Sequence, residues 1–542
     1  MIKDEIKWMW RAWRGNRLQA CLNAALGLLD VAVQLAQVWA MKHAIDVACH
    51  DIDGSLMVAV AIMATLVMAA YAISAFRIWI RNILGVKAQN RMQQRLLATV
   101  LRARWQGRSE MHSGDTINRL ETDVQAVVTF LTETIPNALS TITLFVSAFL
   151  YLFSMDHLLA VIVIIMLPLF ALGSRVFMNR IRALNRAVRN SDSMVQSILQ
   201  ETVQNRIYIK AQNQENTILE RLENTHGELR RNVKKKARFS VASFLIMNGG
   251  FALTYLVAFV WAALRMSAGT LSFGGMTAFL QLVNKVQMPA RNLTRMMPQF
   301  INVLTAVERL KALEEQPMES DDEMCLIDGA LGIRFTNVNF AYDDNDNNEL
   351  IIKNMSVDFK PRSCNAIVGE TGSGKTTLLR LILALIEPTS GSIEIYNNST
   401  SQRLSPRHRV NLVYVPQGNK LMSGTIRDNL LMGNPHATDE HMRQALTTAC
   451  AQFVMEWPDG LDTSISEGGA GLSEGQAQRI AIARALLRDG NILVFDEATS
   501  AIDPDTERIL LDNILNDHLK TVIFVTHRMA VCNYATTTLH LT

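Results

Sequence analysis

Apolar residues follow two regimes along the chain. Up to about residue 300 they form long stretches, whereas beyond residue 330 they come in short runs punctuated by turns. A helix needs about 20 mostly apolar residues to span a bilayer. Six stretches reach that length, roughly 18–46, 55–80, 134–154, 157–178, 241–266 and 272–298. The second is the cleanest (SLMVAVAIMATLVMAAYAISAF), while Gln281, Asn284, Lys285 and Gln287 interrupt the sixth. The connections at 81–107 and 179–235 lack proline and are rich in Arg, Gln, Leu, Asn and Ala. They predict long helices projecting past the membrane, since structureless loops of that length are rare in compact proteins. The inner segments 81–133 and 179–240 that contain them are each broken once, at His112-Ser113-Gly114-Asp115 and across Arg206 to Asn216. Those breaks predict short transverse helices able to dock another domain.

Charge orients the spans. Lys and Arg crowd the N-terminal segment, 81–133, 179–240 and the residues after the sixth run. The loop 47–54 and the turn Asp156-His157 carry none, and the loop near 265–271 has only Arg265. Basic segments thus fall on one side and bare short loops on the other, as the positive-inside rule expects. Both termini are then cytoplasmic. Buried helices of a large soluble protein do not explain this alternation. Around 314–330 the chain becomes acidic and acquires a proline (EEQPMESDDEMCLIDGA), which reads as a linker. From 331 onward β-rich runs such as NAIVG, NLVYVP, ILVFDE and TVIFVTH alternate with helical patterns. That order predicts an α/β domain with a partly parallel sheet. The expected division is a transmembrane domain over 1–313, a linker over 314–330 and an α/β domain over 331–542.

Composition narrows the function. The 542 residues are 49% apolar with a net charge of only +3, which suits a mixed membrane and soluble chain and gives no sign of a nucleic-acid partner. The six cysteines are scattered without metal or disulfide spacing. The basic, amphipathic N-terminus is not followed by a small-residue cleavage site, so no removable signal peptide is expected.

Gly369-Glu370-Thr371-Gly372-Ser373-Gly374-Lys375-Thr376 matches GxxxxGK(S/T), lies between a strand and a helix, and continues with Thr377. In that context the glycines let backbone N–H groups surround phosphates, and the helix start adds a favourable dipole. Lys375 is expected on the β- and γ-phosphates of ATP and the Thr376 hydroxyl on Mg²⁺. The strand Ile492–Asp496 is followed by Glu497. Asp496 suits Mg²⁺, and Glu497 suits orienting and deprotonating the attacking water. Leu472-Ser473-Glu474-Gly475-Gln476 opens a further helix, a second place to receive phosphate. One phosphate loop is already present, so this second helix start suggests a dimer in which each domain completes the other's site.

In this order the motifs resemble the nucleotide-binding domain of ABC proteins, with LSEGQ as their signature. The resemblance implies further roles. Tyr342 in Phe340-Ala341-Tyr342 would stack on adenine, and Gln417 would contact Mg²⁺ and water. Asp503 belongs to the D-loop, and His527 would sense the γ-phosphate. Glu467-Gly468-Gly469 loosely resembles the X-loop of exporters. With six spans in front, nearly the whole chain resembles a type IV exporter half-transporter: a membrane α-helical domain of six transmembrane helices with long cytoplasmic extensions, followed by an α/β P-loop ABC ATPase domain. The regions Ser113–Asp115 and Ile207–Glu215 match its two coupling regions. Two departures stand out. The chain stops at Thr542, a few dozen residues earlier than usual, and Arg362-Ser363-Cys364 replaces the common Gly-Glu before the phosphate-loop strand. No peptidase domain is seen ahead of the first span.

The first span bears Asn23, Asp30, Gln34, Gln37 and Met41, whose spacings place them on one helix face. An acid inside an apolar span usually faces a cavity or a partner. Asp30, Gln34 and Gln37 are expected to line a translocation cavity. Gln281, Asn284, Lys285 and Met288 form a similar stripe on the sixth span, with Lys285 as partner of Asp30; a purely structural pair is the competing reading. The expected protein is an ATP-hydrolysing ABC-type translocase of the bacterial inner membrane, paired with a second copy or a related half-transporter. It would be surrounded by membrane lipids and export lipid, peptide or amphipathic small molecules. An importer on the same fold and an ATP-gated channel or sensor share these motifs and stay open.

Overall fold

A computed structural model of the chain describes residues 2–105, 113–342, 350–370, 372–418, 420–466, 469, 471–516 and 520–541; within these, the side chains of 2–3, 113, 166–179, 247, 294–295, 297 and 529–530 are not described. It divides into two compact units, one made of Met1–Leu97 and Ile117–Ala312, the other of Ala98–Thr116 and Leu313–Thr542.

The first unit is helical: α1 (Ile2–Ala12), α2 (Arg17–Ala48), α3 (Leu56–Arg102), α4 (Ser113–Asn118), α5 (Val124–Thr129), α6 (Ile135–Met155), α7 (His157–Gln204), α8 (Arg206–Ala211), α9 (Glu215–Ser267) and α10 (Phe273–Glu314), with the end of α3, the start of α4 and the last residues of α10 counted in the second unit. All six apolar stretches fall within long helices. Among the described residues, four helices are long and apolar enough to cross a membrane: Arg17–Ala48, Leu56–Arg102, Gly114–Met155 and Glu215–Ser267. The polar positions already noted in the sixth stretch keep α10 off that set, and the undescribed side chains 166–179 lie in the apolar part of α7. As the proline-free connections predicted, α3, α7 and α9 run on well past the apolar segments. The second break is the short helix α8. At the first, α4 begins at Ser113, while His112 lies outside the described residues.

Val38, Ala148, Leu152, Leu159, Ala160, Ala258, Ala262, Ala278 and Phe279 form one buried cluster joining α2, α6, α7, α9 and α10. Lipid offers these helices no hydrophobic contrast, so close approach over small residues holds them together. Across the outer turn, Asp156 caps α7 by accepting from the Leu158 and Leu159 N–H groups. It also accepts from Trp261 Nε1 at 3.0 Å and faces Arg265 at 3.2 Å. Between α4 and α6 the helix loosens into two π turns, Arg119–Asp123 and Phe130–Thr134. Asn23 reaches the second, donating to the Thr132 carbonyl at 2.9 Å. The first residue of the polar stripe is thus buried in a helix contact.

In the second unit, strands β1 (Gly332–Phe340), β2 (Ile352–Phe359), β4 (Ser390–Tyr396) and β5 (Ser401–Arg403) form an antiparallel sheet in the order β2-β1-β4-β5. Strands β3 (Cys364–Gly369), β6 (Leu412–Val415), β9 (Ile492–Asp496), β10 (Thr521–Val525) and β11 (Thr537–Leu541) form a parallel sheet in the order β11-β3-β10-β9-β6, and β7 (Gly424–Thr425) pairs with β8 (Ser464–Ile465). The inner parallel strands β9 and β10 are apolar and buried at nearly every position because both faces are covered, whereas the edge strand β11 is largely exposed. Leu493, Phe495, Val522 and Phe524 point into one core, which includes the helix Glu474–Leu486. Ile492, Val494, Ile523 and Val525 point into the other, beneath α11 (Lys375–Ile382) and the antiparallel sheet. This sandwich fixes the carboxyl ends of β3, β9 and β10 side by side, and the candidate chemistry sits there.

Candidate functional site

The chain leaves β3 at Gly369 and turns into α11 through Gly372 and Gly374, both at φ +93°, a region side chains disfavour. Lys375 is buried, and its Nζ donates to the carbonyls of Gly369 (2.6 Å) and Glu370 (3.0 Å). The Ser373 hydroxyl oxygen is buried without a partner, and Thr376 is exposed at the helix start. An ammonium held only by loop carbonyls and an orphaned hydroxyl at a helix N-terminus suit a nucleotide's phosphates. Thr371 lies outside the described residues.

Asp496 ends β9, beside the loop. Its Oδ2 accepts from the Tyr414 hydroxyl at 3.2 Å. Burial, the largest influence, raises the Asp496 carboxyl above the usual aspartate range, and the neighbouring Glu497 charge adds to this against Tyr414, Arg380 and Lys375. The same burial and the Asp496 charge raise the Tyr414 phenol. Glu497 sits at φ +48°, rare for a residue with a side chain, and its N–H is pinned to the Val525 carbonyl at 2.8 Å. That backbone presents the carboxylate to two partners: Gln417 Nε2 donates to Oε2 at 2.7 Å, and His527 Nε2 lies 3.2 Å from Oε1. Gln417, Glu497 and His527, far apart in sequence, therefore form one cluster. Among the described residues no three His, Cys, Asp or Glu side chains group into a metal cage. The oxygen donors Thr376, Gln417 and Asp496 instead suit a cation shared with phosphate.

Tyr342 is only 4% exposed, and its ring is packed edge-on against Phe340 and Trp105. Its hydroxyl accepts from Arg380 Nη1 at 2.9 Å and lies 3.1 Å from the Thr377 hydroxyl. Arg380 also covers the Trp105 ring at 4.1 Å. Stacking on adenine would require this ring to turn outward. The sequence reading missed Trp105 and Arg380, since neither belongs to a motif.

Ser473 caps the helix Glu474–Leu486 in a reciprocal box with Gln476: Gln476 N–H donates to Ser473 Oγ at 3.2 Å, and Ser473 N–H to Gln476 Oε1 at 3.0 Å. Asp503 caps the helix Pro504–Leu515 by accepting from the Thr506 N–H at 3.0 Å. Arg528 and Gln478 hold the loop between them, reaching the Ser500 and Ile502 carbonyls and the Ala501 N–H respectively. A Cβ on Gly475 would stand 2.6 Å from the Ala501 carbonyl oxygen. Gly475→Ala is therefore expected to push this helix off the loop and cut ATP hydrolysis by about 5- to 150-fold, the effect of roughly 1–3 kcal/mol of overpacking. The check is the rate of a variant whose thermal unfolding shows it folded. Among the described residues, no hydrogen bond or ion pair joins Ser473, Gly475, Gln476 or Asp503 to Lys375 or Glu497. Glu467 and Gly468 lie outside the described residues.

In the helical unit, a cavity of about 490 Å³ is lined by Asp30, Gln34, Arg77, Asn137, Asn284 and Lys285, among others. The expected pairing is refined: the Asp30 charge acts on Lys285, but the near contacts of Asp30 are with other residues. Asp30 Oδ2 faces Arg77 Nη1 at 3.6 Å and accepts from Gln34 Nε2 at 2.9 Å, while Lys285 donates to Gln34 Oε1 at 3.2 Å. Arg77 lies inside the second apolar stretch, and α3 brings it nearer to Asp30 than α10 brings Lys285. An arginine within an apolar run was the signal available. Gln37 is corrected: it donates to the Leu66 carbonyl at 3.1 Å, which ties α2 to α3 outside the cavity lining.

Two family models match the chain: the ABC transporter transmembrane region over residues 21–290 and ABC transporter over 352–500. An ABC transporter ATP-binding protein of Sinorhizobium fredii is 31% identical, across 94% of this chain and 88% of its own length. The chain belongs to the ABC transporter family. A multidrug resistance ABC transporter ATP-binding and permease protein of Lactococcus lactis is 26% identical across 98% of this chain and 89% of its own. An ATP-dependent lipid A-core flippase of Chromobacterium violaceum is 28% identical across 82% and 76%. In fold, this ABC transporter is similar to a bacterial Atm1-family ABC exporter solved with ATP bound, with a TM-score of 0.78, 22% identity, and coverage of 98% and 94%. It is thus an integral, multi-pass membrane protein with a cytoplasmic ATP-binding and ATP-hydrolysing unit fused to its transmembrane region.

Proposed function

We propose that this ABC transporter subunit exports an amphipathic substrate from a bacterial inner membrane as a dimer, with residues 1–313 as its membrane domain and 331–542 as its ATPase domain. The observation that carries the reading is the split site: Lys375, Asp496, Glu497, Gln417 and His527 gather at one edge of the parallel sheet, while the Ser473 helix start and Asp503 form a separate face. A second copy supplies the missing face by presenting Ser473 and Gly475 to the γ-phosphate at Lys375. Lys375 holds the β- and γ-phosphates, Glu497 takes a proton from the attacking water, and Gln417 and His527 aim the Glu497 carboxylate. Thr376, Asp496 and Gln417 would hold Mg²⁺, whose chemistry is to offset charge on the phosphates. Closure of the dimer around ATP turns the membrane cavity outward, and hydrolysis resets it. The names of the flippase and multidrug relatives agree with an amphipathic cargo.

The reading is tested with the purified chain in lipid nanodiscs. Mg-ATP hydrolysis is expected without any partner protein, and outward transport in proteoliposomes is expected to depend on it. A folded chain that binds ATP but never hydrolyses it would refute the homodimer. Asp496→Asn separates metal binding from folding. The Asp496 carboxyl is raised by the fold, so its burial charge costs stability as pH rises through the raised value and costs nothing below the ordinary aspartate range. The variant is expected to lose Mg²⁺-dependent hydrolysis yet melt about 2–4 °C higher at pH 8 without nucleotide. That gain should shrink as pH falls towards 4. A lower melting point at pH 8 would contradict the assignment.

A further inference from the structure

We propose that the cavity at Asp30, Arg77 and Lys285 binds an amphipathic anion, a phosphate or carboxylate head on an apolar body, and that this is the chemical class of the exported substrate. The inference rests on the export reading and adds the sign of the charge that the cargo carries.

Charge balance within the cavity carries it. Among the described residues lining it, two are cationic and one is a carboxylate. The carboxylate is already engaged, since Asp30 Oδ2 both faces Arg77 and accepts from Gln34. Lys285 hydrogen-bonds to the neutral amide oxygen of Gln34 and feels the Asp30 charge only from beyond hydrogen-bond distance, sharing that carboxylate with the nearer Arg77. Arg77 spends one amino group on Asp30 and the other on Asn137 Oδ1 at 3.2 Å, while its Nε is buried with no acceptor. One donor, Arg77 Nε, thus lacks an acceptor, and two cations share one carboxylate, which leaves a net positive charge inside an apolar span. Such a charge is costly and marks a substrate path by default. Oxygens of a phosphate or carboxylate satisfy both deficits at once, with short charge-assisted bonds to Lys285 and Arg77. A cationic head meets two like charges, and a neutral one leaves the excess in place.

The remaining lining fits the body of an amphipath. Val31, Leu144, Met288 and Met296 are apolar, and methionine adapts to irregular chains. The volume of about 490 Å³ accommodates a head group and the start of a chain rather than a whole lipid. Arg77 lies near the inner end of the second apolar stretch and Asn137 near the inner start of the third. The cavity is therefore in the cytoplasmic half of the membrane, where an exporter loads.

The test uses the full chain in phosphatidylcholine nanodiscs. Equilibrium binding is measured for radiolabelled palmitoyl lysophosphatidate, with palmitate, palmitoyl lysophosphatidylcholine and inorganic phosphate as competitors. Lysophosphatidate and palmitate are expected to bind about tenfold tighter than the zwitterionic lysolipid, and Lys285→Gln to remove about tenfold of lysophosphatidate affinity. Lys285→Arg should restore it to within about threefold, which separates charge from fold. Asp30→Asn removes the competing carboxylate and is expected to keep or tighten anion binding. Equal affinity for the zwitterionic lysolipid, or an Asp30→Asn loss as large as that of Lys285→Gln, would overturn the proposal. Full displacement by millimolar inorganic phosphate would overturn its amphipathic half. Hydrolysis that vanishes in Glu497→Gln reports separately on the export reading. If hydrolysis is intact while no anion is preferred, only the cargo inference fails; if no hydrolysis occurs under any condition, the export reading itself fails.

Discussion

Glu497→Gln is expected to slow Mg-ATP hydrolysis by about 10²–10⁴-fold, the range that a positioned general base contributes. ATP binding should survive, because among the described residues Glu497 makes no hydrogen bond to the glycine turn or to Lys375. The amide conserves shape and still accepts from Gln417, so the cluster stays assembled while its proton acceptor is gone. The backbone at φ +48° strengthens the expectation, since strain persists where surrounding structure enforces it and gathers at working sites. Single-turnover hydrolysis beside equilibrium binding of ATP checks the prediction. A variant that hydrolyses within threefold of the unaltered chain would move the base to another residue.

Lys375→Ala should act at the step before. Its ammonium is held by the Gly369 and Glu370 carbonyls, which leaves it placed to trade those contacts for phosphate oxygens. Charge-assisted hydrogen bonds contribute about 1.5–3 kcal/mol each, so losing one or two weakens ATP binding by about a hundredfold. Fluorescent-ATP titration reads this directly. The same titration with Glu497→Gln should show near-normal affinity, and the contrast between the two variants assigns binding to one residue and chemistry to the other.

Much of this was legible before any coordinates. The phosphate loop, the carboxylates after ILVFD and the LSEGQ helix start are local patterns whose spacing is set by a turn or a helix end. They were readable as residues, and the structure places them at the predicted strand and helix ends. The long helices were readable because proline-free polar connections between apolar runs leave few alternatives. Pairings across helices were not readable. Charge and the two polar stripes pair Asp30 with Lys285, but which cation comes nearest depends on how α3 and α10 rotate about their axes, and the sequence pattern does not fix that rotation. Gln37 shows the same limit: its position on the polar stripe is right, yet its amide ties α2 to α3. Trp105 was hidden for another reason. It follows a membrane helix in sequence but packs in the ATPase unit, on Arg380 and against Tyr342. Nothing in its neighbours announces that contact. Tyr342 itself was readable as an aromatic at the right place, while its buried ring and hydroxyl partners were not.

The central claim is that each ATP site needs two chains. It is tested by mixing two inactive variants, Lys375→Ala and Ser473→Arg, and measuring hydrolysis after co-purification through different tags. Each variant alone forms dimers in which both sites carry a defect. In the mixed dimer, one site carries both defects, and the other joins an intact Lys375 to its partner's intact Ser473. The account predicts that hydrolysis returns in the mixed dimer, to as much as about half the wild-type rate for one working site of two. A mixed dimer that is folded and isolated in equal proportion yet stays as inactive as its parents would contradict it, and would place Ser473 and Lys375 of one chain in the same site.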